Sequence, residues 1–161
     1  MLVYGAGVNN ADYPVHRYET SKCVWVCPIY IIWRNMLKRA LCPVYKSKKE
    51  TYAGCTVSSE WLYFMSFRDW ALTQPWRGLE LDKDILIPGN KHYSESTCVF
   101  VPRKLNVFLA DSAAIRGEFP IGVHWIRARS KFQSYCNNPF SSKRDYLGLF
   151  DTPAEAHLAW A

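Results

Sequence analysis

The sequence predicts an α+β fold, with a helical N-terminal part and a three-stranded antiparallel sheet packed on a C-terminal helix. Apolar residues between Tyr30 and Ala40 recur at helical spacing, whereas residues 132–137 alternate between apolar and polar side chains, as a half-buried strand does. Hydrophobic residues make up 49% of the 161 residues. The chain therefore has enough apolar surface for one ordinary core or two small ones.

The composition favours some partners and disfavours others. Lysine and arginine outnumber aspartate and glutamate by 20 to 14, which gives a formal net charge of +6 and favours polyanionic partners. Six cysteines without a recognisable secretory segment are expected to be reduced thiols in a cytoplasmic protein. No membrane partner is expected, since the longest apolar run, residues 23–33, is too short to span a bilayer. Zinc is not expected, because no CxxC pair is present. Four of the cysteines could be considered as ligands, but their spacing fits no standard zinc knuckle: Cys27, Cys42, Cys55 and Cys98.

The first elements are predicted from breakers and periodicity. Residues 1–22 contain scattered Gly, Asn and Pro without periodicity, which indicates an irregular arm. A basic amphipathic helix starts near Tyr30 and ends before Pro43, because proline cannot continue a helix interior. A Lys-rich polar loop is expected over residues 46–51. The aromatic stripe on this helix and the next one is expected to be core: Trp33, Met36, Trp61, Phe64, Phe67 and Trp70.

The second helix and the central elements follow from the same signals. Ser58 or Ser59 can cap a helix that carries these aromatic residues and ends before Pro75. The elements predicted after it are strands over residues 81–87 and 98–101, a helix over 104–110 and a linker of small residues over 111–117.

The C-terminal segment reads as a separate module over residues 118–161. Strands are predicted over residues 121–127, 132–137 and 143–150, with turns at Ser130 and at Asn138-Pro139. Asp151 or Thr152, followed by Pro153, starts the last helix. Alternation places Phe132, Ser134, Cys136, Leu147 and Leu149 towards this helix and leaves amide, aromatic and guanidinium side chains on the outer face.

These residues resemble the integrase-type DNA-binding domain of plant ethylene-response transcription factors, which also accompanies phage HNH endonucleases. The matching residues are Ile121-Gly122-Val123, Phe132, the segment from Tyr146 to Phe150 and the segment from Asp151 to Ala156. The resemblance implies a sheet that lies in the DNA major groove. It implies contacts at His124, Arg127 or Arg129, Tyr135, Asn137, Arg144 and Tyr146. Lys131 and Gln133, from the same basic and polar segment, are also expected to contact DNA. His124 and Ile126 stand where the plant family usually has arginines, so its base preference does not carry over.

The stretch from Tyr30 to Asn106, within a region expected to span residues 23–110, resembles a phage and bacterial family of HNH-like proteins. The matching residues, in chain order, are Trp33, Met36-Leu37, Cys42, Tyr52-Ala53-Gly54, Trp61, Phe64, Leu81-Asp82-Lys83, Gly89-Asn90, Tyr93, Cys98 and Asn106. The resemblance implies two helices followed by a ββα-metal finger, in which two strands and a helix hold one divalent ion against a scissile phosphate.

Such a finger needs two metal ligands and a general base. Asp82 and Asn106 are the expected ligands, and Mg²⁺ is the expected ion. The base position holds Lys83, which is normally protonated. Asp84 is expected to share a strand face with Asp82, and His92 in the next loop is the other candidate base.

The first helix offers a second set of cations. Arg34, Lys38 and Arg39 can grip a DNA backbone without reading sequence, and the alternative that they form a solvated helix face stays open.

The sequence thus predicts a double-stranded DNA-binding protein related to phage HNH homing endonucleases, in the cytoplasm of a bacterial host. Two versions stay open, a metal-dependent DNA nickase and a catalytically inactive protein that inhibits a host nuclease. The second version is motivated by Lys83 in the base position.

Overall fold

The α+β prediction is confirmed by the computed structural model, which describes residues 2–109, 118–138, 141 and 143–161. The chain divides into two compact units, Met1–Pro102 and Arg103–Ala161. The predicted linker over residues 111–117 lies outside the described residues. No helix in the described ranges has the length and apolar character needed to cross a membrane.

The core of the first unit forms between helices α1 (Pro28–Leu41) and α3 (Phe64–Leu72). All of the aromatic and methionine residues expected in the core are buried. The indole Nε1 of Trp33 donates a hydrogen bond of 2.8 Å to the carbonyl of Trp61, so the largest buried side chain leaves no polar atom unsatisfied. The predicted core residues are thus confirmed. They could be predicted because apolar residues at helical spacing mark the buried face of a helix.

Two boundaries in this unit differ from the prediction. The expected loop over residues 46–51 is helix α2 (Pro43–Lys48), followed by a 3₁₀ turn at Glu50–Tyr52. Pro43 ends α1 but also suits the first turn of a new helix, because the N–H that proline lacks has no partner there anyway.

The second difference concerns the start of α3. Neither Ser58 nor Ser59 caps it, since a 3₁₀ turn at Glu60–Leu62 comes first and α3 begins at Phe64. The side chain of Asn10 supplies the cap from a distance, because its Oδ1 accepts the backbone N–H of Met65 at 3.0 Å.

The predicted irregular arm over residues 1–22 was wrong in part. Strands β1 (His16–Glu19) and β2 (Lys22–Val26) form an antiparallel hairpin. The segment before it packs on the core: Val8 exchanges backbone hydrogen bonds with Leu62 and Phe64. At Gly7, a Cβ would lie 2.2 Å from a methyl carbon of Leu37, so a larger residue would require the buried Leu37 side chain to move.

Four short strands complete the first unit. Strand β3 (Thr56–Val57) pairs parallel with β5 (His92–Tyr93), and β4 (Glu80–Asp82) pairs antiparallel with β6 (Val99–Val101). The strand predicted over residues 81–87 therefore ends at Asp82, where the chain turns. Helix α4 (Arg103–Leu109) falls where a helix was expected and belongs to the second unit.

The second unit contains the predicted sheet and helix. Strands β7 (Val123–Ile126), β8 (Lys131–Asn137) and β9 (Arg144–Phe150) form an antiparallel sheet in that order, and helix α5 (Pro153–Trp160) packs on it. Thr152 and Glu155 form a reciprocal capping box at the start of α5. Ser134 and Ala156 are fully buried where helix and sheet meet, so small side chains allow the close approach.

A β-bulge changes one of the predicted faces. Ser134 pairs with Gly148, but the next residue, Tyr135, pairs with Tyr146, so one residue of β9, Leu147, has no partner. Directly paired residues share a face, which places Leu149 beside Gln133 on the outer face. The prediction that Leu149 packs under α5 was wrong for this reason.

Candidate nucleic-acid interface

The outer face of the three-stranded sheet brings together six of the nine residues of this module that were predicted to contact DNA. The register pairs His124 with Gln133, Tyr135 with Tyr146, and Asn137 with Arg144. Because paired residues point to the same side, these six side chains share one face. Asp145 is the one carboxylate in these strands, and its pairing with Cys136 places it on the opposite face.

Arg144 is the centre of this face. Its guanidinium carbon lies 4.3 Å from the centre of the Tyr135 ring, and its Nη2 donates to Nε2 of His124 at 2.7 Å. Arginine cannot accept a hydrogen bond, so the ring nitrogen of His124 is the acceptor in this contact. The rings of Tyr135 and Tyr146 lie 5.5 Å apart and extend the same cluster.

These contacts hold an exposed guanidinium in a defined orientation. A guanidinium has five N–H donors, and the contact with His124 uses one of them. The side chain of Arg144 is exposed. Its remaining four N–H groups can donate to a phosphate or to the acceptors of a guanine edge. Because stacking on Tyr135 already restricts the Arg144 side chain, less conformational entropy is lost on binding.

The remaining predicted cations of this module differ in their contacts. Arg127 and Arg129 lie exposed on a 3₁₀ turn between β7 and β8, which Ser130 closes with a left-handed φ of 48°. Lys131 forms an ion pair with Asp151, so its ammonium has an internal partner that a phosphate would have to replace.

The central segment uses its predicted catalytic residues to build a turn. Oδ1 of Asp82 accepts the backbone N–H groups of Asp84 at 2.7 Å and of Ile85 at 2.8 Å. The strand ends there, so the expectation that Asp82 and Asp84 share a strand face was wrong. A short polar side chain that bonds to the backbone two residues ahead competes with strand formation in this way.

Lys83 is the buried member of an ion pair. Its side chain is 4% exposed, its ammonium pairs with Asp84, and it lies 5.8 Å from the centre of the Tyr93 ring. A buried ammonium is stabilised by such partners. The side chain in the predicted base position is thus already engaged with Asp84 and the Tyr93 ring.

Asn90 was in the sequence motif, yet its structural function was missed. Its Nδ2 donates to the carbonyls of Lys83 at 2.8 Å and of His92 at 2.7 Å, and its Oδ1 accepts the His92 N–H. The side-chain amide of Asn90 thus links the two ends of the loop between Lys83 and His92. The dipeptide Gly89-Asn90, with φ of 76° at Gly89, is a turn signal that could have indicated this.

The other predicted catalytic residues lie on different elements. Nδ1 of His92 lies 2.8 Å from Oγ1 of Thr56. Asn106 lies on α4 in the second unit, whereas Asp82 belongs to the first. Among the described residues, no group of three or more His, Cys, Asp or Glu side chains could hold a metal ion.

Burial governs the chemistry of two further groups near this loop. Burial raises the pKa of the Cys98 thiol to about 11, which keeps it protonated at neutral pH. It also raises the pKa of Tyr93, whose hydroxyl accepts a hydrogen bond from Arg39.

The basic residues of α1 are partly engaged in the fold. Arg39 contacts Tyr93 and lies 5.6 Å from the ring centre of Tyr52, and the Lys38 ammonium lies 4.8 Å from that of Tyr45. Arg34 is half-buried. Arg39 therefore stabilises the first unit, whether or not it also contacts a DNA backbone.

Comparisons with protein-family models, with curated proteins and with solved structures found no match for this chain. The resemblances to HNH-like proteins and to integrase-type domains therefore stay predictions.

Proposed function

We propose that this protein binds double-stranded DNA through the outer face of the sheet β7–β9. The observation that carries the proposal is the cluster of His124, Tyr135, Arg144 and Tyr146, in which an exposed guanidinium is held by a ring and an imidazole. Planar donors in a fixed orientation suit both phosphates and base edges.

The charge distribution supports the same ligand. Arg127 and Arg129 extend the cationic surface on the turn next to the cluster, and the only carboxylate of the strands points to the other face. Gln133 and Asn137 add amide groups, which can donate to and accept from adenine.

The test compares two arginines with similar local contacts. Arg77 is exposed and lies 5.0 Å from the ring centre of Trp76, so it matches Arg144 in charge and in its aromatic neighbour but lies in the first unit. We expect Arg144→Ala to weaken duplex binding about tenfold or more, and Arg77→Ala to change it by no more than about twofold. Fluorescence anisotropy of a labelled duplex measures both.

Arg144→Lys keeps the charge and loses the planar guanidinium, so its affinity should lie between those of the wild type and of Arg144→Ala. Thermal unfolding of each variant checks that the sheet is intact. Equal affinities for Arg144→Ala, Arg77→Ala and the wild type would exclude the sheet as the DNA-binding surface.

A further inference from the structure

The contact between His124 and Arg144 can form in only one charge state of the imidazole. Nη2 of Arg144 donates to Nε2 of His124 at 2.7 Å. A guanidinium has no acceptor, and a protonated imidazole has two donors and no acceptor. This hydrogen bond therefore exists while His124 is neutral, and it is lost when Nε2 takes up a proton.

Protonation would leave two cations side by side on the outer face of the sheet. The guanidinium of Arg144 on β9 reaches across the middle strand to His124 on β7 and lies 4.3 Å from the centre of the Tyr135 ring. Both His124 and Arg144 are exposed. Like charges at this separation repel each other, so a protonated His124 needs an anion between itself and Arg144.

The groups around His124 do not supply that anion. Helix α5 packs on the opposite face of the sheet, so only the strands and the turn after β7 face the imidazole. The polar and titratable side chains that they present are Gln133, Tyr135, Arg144, Tyr146, Arg127 and Arg129. Apart from the tyrosines, every titratable group in this set is a cation.

The carboxylates of these strands and of α5 are used elsewhere. Asp145 points to the opposite face, and Asp151, which follows β9, forms an ion pair with Lys131. Glu155 belongs to the capping box of α5. An anion that sits between His124 and Arg144 must therefore come from a ligand.

We propose that His124 takes up a proton when the sheet binds duplex DNA, and that the protonated imidazole and Arg144 then hold one backbone phosphate between them. The inference rests on the proposed function and adds the regulation of the same site, because duplex binding becomes tighter in acid. The proton comes from solvent and goes to Nε2 of His124. The N–H of Arg144 that Nε2 accepted before is released and donates to a phosphate oxygen.

The strengths of the contacts decide the direction of the effect. The exchange replaces one exposed hydrogen bond to a neutral ring by two hydrogen bonds between a cation and a phosphate, and bonds between ionised partners are the stronger kind. The added charge also releases a counterion from the DNA. Tyr135 still restricts the guanidinium after the contact with His124 is lost. The gain in phosphate binding thus exceeds the loss of this one contact.

The experiment measures the anisotropy of a labelled duplex against the full chain, over a series of salt concentrations. It is done at about pH 5.5 and at about pH 8, on either side of the range in which histidine changes charge. His124→Gln keeps a polar planar side chain that cannot be protonated. His16→Gln is the matched control, because His16 lies in the first unit. Thermal unfolding at both pH values verifies that each variant is folded.

We expect the wild type to bind duplex DNA about fivefold to twentyfold more tightly at the acidic pH, the effect of one added charge-assisted contact. The slope of log affinity against log salt should become steeper by about 0.9, since one more phosphate is neutralised. A purely structural function of His124 would not change this slope. His124→Gln should show the same affinity and slope at both pH values, whereas His16→Gln should behave as the wild type does.

The proposal is overturned if the affinity of the wild type does not rise in acid, or if its salt slope stays the same. It is also overturned if His124→Gln keeps the pH dependence of the wild type. Duplex binding that depends on Arg144 but not on pH would support the sheet as the DNA-binding surface and reject only the proton uptake. Absence of duplex binding at both pH values would reject both.

Discussion

Asp82 illustrates how a side chain that suits catalysis can be used by the fold. Its Oδ1 accepts two backbone N–H groups, those of Asp84 and Ile85, and thereby ends β4. Removing the acceptor would leave both donors without a partner in a half-buried loop. An unmade hydrogen bond of this kind costs more than the bond contributes when it is formed.

This contact predicts different effects for two substitutions. Asp82→Ala should lower the free energy of unfolding by about 1–3 kcal/mol, because both N–H groups lose their partner. Asp82→Asn keeps an oxygen acceptor and should lose less than about half as much. Urea denaturation followed by tryptophan fluorescence measures both. Equal losses for the two variants would show that Oδ1 does not hold this turn.

The same pair of variants separates stability from cleavage. A metal-dependent nickase that uses Asp82 as a ligand would nick plasmid more slowly in Asp82→Asn while keeping its fold, because a neutral amide binds Mg²⁺ more weakly than a carboxylate. Nicking by the wild type in Mg²⁺, slowed in Asp82→Asn and lost in EDTA, would support the nickase version of the sequence prediction. An intact plasmid with the wild type would contradict it.

At the scale of secondary structure, helix α3 depends on a residue far from it in sequence. Tyr63 precedes the helix and provides no side-chain cap, whereas Asn10 accepts the N–H of Met65. The N-terminal segment thus stabilises a core helix through one side chain. Because α3 carries several buried aromatic residues, loss of this contact is expected to affect the stability of the core.

We expect Asn10→Ala to destabilise the protein by about 1 kcal/mol, the usual cost of losing an N-cap. Asn10→Asp keeps the acceptor and adds a charge that the helix N-terminus favours, so it should be at least as stable as the wild type. Thermal unfolding of the three proteins tests this. A wild-type melting temperature in Asn10→Ala would contradict the capping function.

The sequence was sufficient for elements that bury one face and insufficient for the others. Helix α1 and strand β8 have clear periodicity because one side of each is buried. The hairpin β1–β2 is exposed on both sides, so it has no alternation, and its turn residues, Thr20 and Ser21, adopt positive φ although neither is Gly or Asn. No local signal indicates such a hairpin.

The candidate site was predictable to a similar degree. Alternation along β8 grouped Gln133, Tyr135 and Asn137 on one face, and the register confirms that grouping. The bulge in β9 could not be predicted, because an unpaired residue leaves no compositional mark, and it moved Leu149 to the same face. Motif spacing likewise does not reveal that Oδ1 of Asp82 already accepts the backbone N–H groups of Asp84 and Ile85.

At the scale of the whole molecule, both units carry an arginine against an aromatic ring on an exposed strand pair. Arg17 lies on Trp25 in the first unit, and Arg144 lies on Tyr135 in the second. The basic excess of the chain, a net charge of +6, is thus accompanied by ring faces that nucleic acid can use. Duplex binding by the sheet is the function that we propose for the second unit.

The dependence of duplex affinity on salt tests DNA binding most directly. Among the described residues, the exposed cations in or next to these strands are Arg127, Arg129, Lys143 and Arg144. If roughly four phosphates are contacted, a fourfold rise in salt should weaken binding of the wild-type chain by about a hundredfold. Such a decrease would support a phosphate-contacting surface of this size. Failure to bind duplex DNA at low salt, or an affinity that salt does not change, would contradict it.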